Sequence, residues 1–162
     1  MELVPYSDED LSLIEELESD PESMRYLGGP VAKDRILEIH RRRLATVADG
    51  DWYFKIVPDQ DGPPAGTIGI WATTWRGEPT HETGWMLLPA FRGRGITTEA
   101  LDLLLSMARS EGRFARIHAF PSVDNAPSNA LCRRFGFRLV EETDFDYRDT
   151  RLRVNVWELA LR

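Results

Sequence analysis

A single cysteine, Cys132, in 162 residues excludes an internal disulfide and any thiolate zinc cluster. Histidine is nearly as scarce, and His40, His81 and His118 are scattered at no metal-ligand spacing, so no metal centre is expected. Of the 20 basic residues only Lys33 and Lys55 are lysines; any anion site must therefore be built from guanidinium groups and backbone amides. Long apolar runs are missing, since nothing approaches the ~20 residues of a membrane span. The opening MELVPYSDED has neither the basic segment nor the apolar run of a secretory signal. These absences lead us to expect a chain of the reducing cytoplasm, with no membrane partner.

The residues present describe a globular domain. At 42% hydrophobic and 29% charged, the chain can bury a core, and 162 residues suit one domain spanning 1–162. A formal net charge of -7 repels polyanions and favours a cationic partner, which argues against nucleic acid. The Arg41 to Arg43 run does not reverse that reading, because three consecutive helical positions fan around the helix and form a solvated face.

Periodicity and turn residues divide the chain. Leu3 to Tyr6 reads as an edge strand, and Ser7 with Asp10 caps a helix whose apolar positions are Leu11, Leu13, Ile14 and Leu17. A second helix runs from Lys33 to Ala48, and strands follow at Trp52 to Val57 and Thr67 to Trp75. After a polar loop at Arg76 to Thr80, a strand at His81 to Leu88 stops at Pro89. Ile96 to Glu111 is the clearest helix; Ala115 to Phe120 is a strand, Pro127 to Arg134 a short helix, and Phe137 to Glu141 and Arg153 to Leu159 the last strands. The order βααβββαβαββ implies an α/β domain with a mixed, mostly antiparallel seven-stranded sheet and helices on both faces. All five tryptophans fall on strands, where large aromatics are usually core.

Between the strand ending at Leu88 and the helix starting at Ile96 lies Pro89-Ala-Phe-Arg-Gly-Arg-Gly-Ile-Thr-Thr98. Unpaired amides at the helix start, two glycines that permit close backbone approach, and Arg92 and Arg94 beside them suit a diphosphate. The Lys-Ser/Thr pair of a nucleotide P-loop is absent. Taken alone, the Arg-Gly-Arg-Gly run reads equally well as a plain turn with solvated arginines.

Arg92, Gly93, Arg94, Gly95, Ile96 and Thr97 resemble the Arg/Gln-x-x-Gly-x-Gly/Ala signature of the GNAT superfamily of acyl-coenzyme A N-acyltransferases, with Thr97 in place of Gly or Ala. Asn125, Ser128, Gly136 and Phe137 match its second element, Asn-x-x-Ser followed by a helix and Gly-Phe. With the Asp20 to Gly29 segment also similar, the resemblance extends to the ribosomal-protein alanine acetyltransferase branch. It implies acetyl-coenzyme A as cosubstrate, with the backbone of Trp85, Met86 and Leu87 on the pantetheine arm. Gly93 to Thr98, including Ile96 and Thr98, would lie on the pyrophosphate, and Asn125 and Ser128 would reach the arm between splayed strands. Monomers and homodimers are both common among similar proteins.

Amine acylation needs a base for the nucleophile and an acid for the departing thiolate. Glu82, on the strand implied to bind pantetheine, is the candidate base or else an exposed strand-end charge. The family's usual tyrosine acid is replaced by Cys132, which is either an acid or a core residue; Ser128 is the other acid candidate, and unaided thiolate release the third. His81 points to the opposite strand face and reads as a loop-edge residue, while His40 and His118 read as structural. Trp75, Arg76 to Glu82 and Met24 to Gly29 are placed at the acceptor mouth. The acceptor is an amine, as a peptide N-terminus or a small molecule such as an antibiotic or polyamine. A noncatalytic acyl-coenzyme A sensor is the reading from another class.

Overall fold

In the computed structural model, which describes residues 1–162, the chain runs β1 (Glu2–Pro5), α1 (Leu11–Ser19), α2 (Lys33–Ala48), β2 (Trp52–Val57), β3 (Gly66–Trp75) and β4 (Glu78–Leu87). It continues through α3 (Ile96–Glu111), β5 (Arg116–Ala119), α4 (Ala126–Arg134), β6 (Arg138–Tyr147) and β7 (Thr150–Ala160). The seven strands form one sheet in the order β1-β2-β3-β4-β5-β7-β6. Only β4 and β5 are parallel, and their pairing reduces to one position, Glu82 opposite His118. Past that position the two strands splay.

Two-residue alternation assigns the faces. Phe54, Ile56, Ile68 and Ile70 point to the side covered by Leu101, Leu104 and Leu105 of α3 and Leu131 of α4, forming the main core. Tyr53 and Met86 point to the opposite side, where Leu13, Ile14 and Leu17 of α1 and Ile36 of α2 form a smaller cluster. At the entry to α1, Asp10 closes a capping box with Ser7, accepting from its backbone N–H at 2.8 Å. The buried Asp10 carboxylate also takes Lys55 Nζ at 2.8 Å.

Two hairpins differ from the sequence expectation. The loop expected at Arg76 to Thr80 is a two-residue turn: Arg76 (φ 51) and Gly77 (φ 77) are both left-handed, and β4 starts at Glu78. Pro79 is tolerated because only β3 flanks it there, with Thr74 opposite. The last strands are also longer than anticipated and meet at the Arg148-Asp149 turn. Their polar alternation hides a half-buried stripe of Thr143, Phe145 and Tyr147, while Arg153 pairs across the strands with Glu142 and Asp144.

The turn after β6 is tied to α1. Arg148 donates from both Nη atoms to Glu18, at 2.7 and 3.1 Å, and Glu18 is 0% exposed. Beside this ion pair, a Cβ on Gly28 would lie 2.7 Å from Thr150 Oγ1, so the segment between α1 and α2 sits directly against β7.

The tryptophans are less buried than expected. Only Trp157 is in the core; Trp52, Trp71, Trp75 and Trp85 are half-buried. The arginine run is corrected too. Arg41 and Arg42 are solvated, but Arg43 turns inward, its guanidinium 4.4 Å from the Tyr53 ring centroid and 5.6 Å from that of Tyr6.

Candidate active site

Gly93 (φ 72) and Gly95 (φ 73) give the loop before α3 its shape. Gly95 is the N-cap of α3, with no side chain to satisfy the helix start. The first intrahelical bond runs from Glu99 N to Gly95 O at 3.1 Å, leaving the amides of Ile96, Thr97 and Thr98 without helical partners. A Cβ at Gly93 or Gly95 would meet nothing within 4 Å, so the space above them is open. The two arginines that sequence places together have different surroundings. Arg92 is a brace, donating to Glu22 Oε2 at 2.9 Å, Ser23 Oγ at 3.2 Å and the Leu87 carbonyl at 3.3 Å. Arg94 lies exposed, 5.6 Å from the Phe91 ring. Beside the loop, a groove of about 520 Å³ separates Gly95, Thr98, Glu99 and Asp102 from Arg134 and Phe135.

Beyond Glu82, β4 has β3 on one side and no strand on the other. Trp85, Met86 and Leu87 lie on this open edge, leading toward the α3 N-terminus. Across the gap, Asn125 caps α4 by accepting from Ser128 N at 3.2 Å, and Trp85 Nε1 donates to Ser128 Oγ at 3.1 Å. Asn129 was not singled out from sequence, yet it anchors this motif. Its Oδ1 accepts from Trp157 Nε1 (2.8 Å) and Asn155 Nδ2 (2.9 Å), while its Nδ2 donates to the Ser122 and Asn125 carbonyls, both at 2.9 Å. Its place one residue after Ser128 was the available signal. Cys132 lies in the main core at 0% exposure, and burial pushes its thiol up to about 12.

Glu82 sits mid-strand and half-buried rather than at an exposed strand end. Burial pushes its carboxyl up to about 7, opposed by the hydrogen bond that Trp71 Nε1 donates to Oε2 at 3.3 Å. Trp71 is held in turn: its ring stacks on Tyr53 at 4.9 Å and 8°, and Tyr53 carries the Arg43 guanidinium on top. Gly84 makes room, since a Cβ there would come 2.7 Å from Trp71 Cη2. The absence of a side chain at position 84 is thus part of how Glu82 is oriented. Trp71, Tyr53 and Arg43 escaped the sequence reading because their meeting depends on strand register, Trp71 opposite Glu82 and Tyr53 opposite Gly69.

His81 faces the other side, as alternation requires, but lies inside β4 rather than at a loop edge. It packs against Phe114 at 4.9 Å, and burial followed by the nearby Arg113 lowers its pKa. His118 is buried between Thr80 Oγ1 (2.9 Å) and Glu158 Oε2 (3.1 Å); since a carboxylate only accepts, the ring donates from Nε2. His40 is buried against the Tyr6 hydroxyl. Of the segment placed at the acceptor mouth, Met24 is instead fully buried. No group of His, Cys, Asp and Glu side chains is arranged to hold a metal ion, and no helix is long and apolar enough to cross a membrane.

Residues 1–138 match the family model described as an acetyltransferase (GNAT) domain. An uncharacterized N-acetyltransferase of Bacillus subtilis, YnaD, is 32% identical over 62 residues, covering 38% of this chain and 36% of that protein. The match thus spans about a third of that curated relative. Among solved structures, a Salmonella typhimurium acetyltransferase that modifies the N-terminal serine of ribosomal protein L7/L12 superposes with a TM-score of 0.79 at 19% identity, covering 98% of this chain and 93% of that one. Spermidine N-acetyltransferase from Vibrio cholerae, in complex with coenzyme A and spermine, gives 0.79 at 17% identity, with coverage of 99% and 95%. At these identities the structural likeness establishes a common fold.

Proposed function

The chain belongs to the GNAT acetyltransferase family, and from that premise we propose that it transfers an acetyl group from acetyl-coenzyme A to a primary amine, with a peptide N-terminus as acceptor. The observation that carries this reading is the gap in the sheet. β4 and β5 part at Glu82, and the open edge from Trp85 to Leu87 leads to the free amides of Ile96 to Thr98. An extended, amide-bearing arm fits that edge as a strand would, and a diphosphate fits the helix start, where Gly93 and Gly95 leave the approach clear. The coenzyme, when bound, supplies an activated thioester carbonyl.

This chain's own residues then divide the work. Glu82 takes the proton lost by the amine nitrogen, directly or through one water, as that nitrogen bonds to the carbonyl carbon and the carbon–sulfur bond breaks. Ser128, whose hydroxyl lies at the gap against Trp85, can donate a hydrogen bond to the departing sulfur, and the thiolate takes its proton from water. Cys132, enclosed in the core, is a packing residue. Direct transfer needs no covalent enzyme intermediate.

The test is calorimetric titration with acetyl-coenzyme A, using a nucleotide diphosphate as control, followed by thiol release with peptides beginning in Ala or Ser. Saturable binding specific to the coenzyme and turnover of such peptides are expected; absence of binding at millimolar ligand would sink the reading.

A pH profile provides a further check. Glu82 must be ionised to accept a proton, so kcat rises with pH through about 7 and levels above it. The Trp71 N–H favours the ionised form, so Trp71→Phe is expected to move this acid limb upward by about 0.5–1 unit. A limb that stays in place would detach Trp71 from the proton step.

A further inference from the structure

The sheet face that carries Glu82 continues into a second polar seat, which the acyl transfer described above does not use. Trp75, Phe120 and Phe145 pack on one another, with centroids 5.2 Å apart for Trp75 and Phe120, 4.8 Å for the stacked rings of Phe120 and Phe145, and 6.5 Å for Trp75 and Phe145. His118, paired in register with Glu82, stacks on Phe120 at 6.0 Å and makes this cluster continuous with the Glu82 site. The guanidinium of Arg76 sits 5.4 Å from the Trp75 centroid and pairs with Glu141. Glu141 follows the bulge between Leu139 and Glu141 in β6, a feature that re-aims a side chain. Its second oxygen, Oε1, is buried and has no hydrogen-bond partner. Buried acceptors almost always find a donor, and the Trp75 face beside Glu141 already carries a guanidinium. The two observations call for the same occupant, a positively charged N–H donor.

We propose that Glu141 and the Trp75 face, backed by Phe120 and Phe145, form a second cation subsite of the acceptor pocket, so that preferred acceptors carry an ammonium or guanidinium group remote from the nitrogen that is acetylated. This rests on the Glu82 face being the acceptor face. Arg76 fills part of the seat in the free protein and yields it to the acceptor. Its side chain is 64% exposed against 24% for Glu141, so Arg76 can swing into solvent once another cation takes its place on the carboxylate. Glu82 lies on β4 and Glu141 on β6, three strand positions apart in the sheet, which separates their backbones by on the order of 15 Å. A long diamine can span that interval, and so can a peptide whose second or third residue is basic. Two cations on adjacent carbons cannot.

The experiment compares KM for diaminooctane, aminooctanol and ethylenediamine at saturating acetyl-coenzyme A. Diaminooctane is expected to have a KM about tenfold below that of aminooctanol, its neutral-ended equivalent, with no such advantage for ethylenediamine. Glu141→Gln, and independently Trp75→Leu, are expected to raise the diaminooctane KM to the level of aminooctanol with little change in kcat. A parallel pair of peptides, Ser-Ala-Arg against Ser-Ala-Gln, separates the sources: a preference confined to the diamines identifies small polyamines, and one confined to the peptides identifies basic N-termini. Equal KM values for charged and neutral ends in both pairs, or a preference that survives Glu141→Gln, would overturn the proposal. If no amine turns over, the transfer reading fails and the subsite is judged by calorimetry alone. Diaminooctane binding that weakens about tenfold in Glu141→Gln then upholds it, and no binding or unchanged binding refutes it.

Discussion

Glu82→Gln is expected to lower kcat by on the order of 10²–10⁴ while leaving the affinity for acetyl-coenzyme A within about threefold of wild type. Glutamine keeps the length of the side chain and can still accept from Trp71 Nε1, so the stack of Arg43, Tyr53 and Trp71 has no reason to move. What disappears is a group that takes a proton near neutrality. The same substitution has a stability signature. The Glu82 carboxyl is raised from an ordinary 4.5 to about 7, so between those values the folded chain holds a proton that the unfolded chain has released. Wild-type stability therefore falls as pH rises across that window and is flat above it, whereas the glutamine variant has no such loss. At pH 8 the variant is expected to be more stable by up to about 3 kcal/mol, read as a higher Tm. Unchanged turnover would remove Glu82 as the base; unchanged stability would mean that the carboxylate is better solvated than its half-buried position implies.

Gly95→Glu is expected to weaken coenzyme binding by at least about a hundredfold while the chain stays folded. The left-handed φ of 73 at this position costs a side-chain-bearing residue about 1–2 kcal/mol, but no atom lies within 4 Å of the added Cβ, so nothing else is displaced. A carboxylate at the N-cap is even favourable for α3, because it meets the free amides of the first turn. Those are the amides proposed for the pyrophosphate, and the new charge both occupies them and repels the ligand. Gly95→Ala separates the effects, carrying the backbone cost without the charge, and should lose far less affinity. If Gly95→Glu binds coenzyme normally, the anion lies elsewhere.

The parts of the fold that were legible in sequence are those set by local chemistry. α2, β2 and α3 have the bounds that periodicity and end signals indicate, because Gly50 and Gly112 stop helices and aromatic and branched residues fill β2. The two long hairpins were misread for opposite reasons. Arg76 is a poor candidate for a left-handed turn residue by type, so a loop was drawn where the backbone turns tightly. The strand expected to stop at Glu141 runs on to Tyr147, because within the acidic alternation after Val140 the half-buried Thr143, Phe145 and Tyr147 share one face, which the charged residues between them mask in sequence. In the candidate site, Glu82 and the glycine loop stand out by residue type and position. Trp71 and Arg43 do not: a tryptophan on a strand reads as core and an arginine among arginines as solvated, and only tertiary register brings both to Glu82. Cys132 shows the reverse, a reactive residue type whose burial removes it from the surface.

The pair of Glu18 and Arg148 has a consequence for how the chain is made. The partners are 130 residues apart. At about 5–20 residues per second, a ribosome that has released Glu18 needs on the order of ten seconds to release Arg148. Throughout that interval the carboxylate on α1 lacks the only cation that reaches it, and burying it unpaired is strongly unfavourable. The N-terminal helices therefore cannot settle onto the sheet as translation proceeds, and the face that carries Glu82 matures last, when the final hairpin arrives. Nascent chains halted before residue 148 are expected to leave α1 open to protease even though β2, β3 and β4 have already been synthesised.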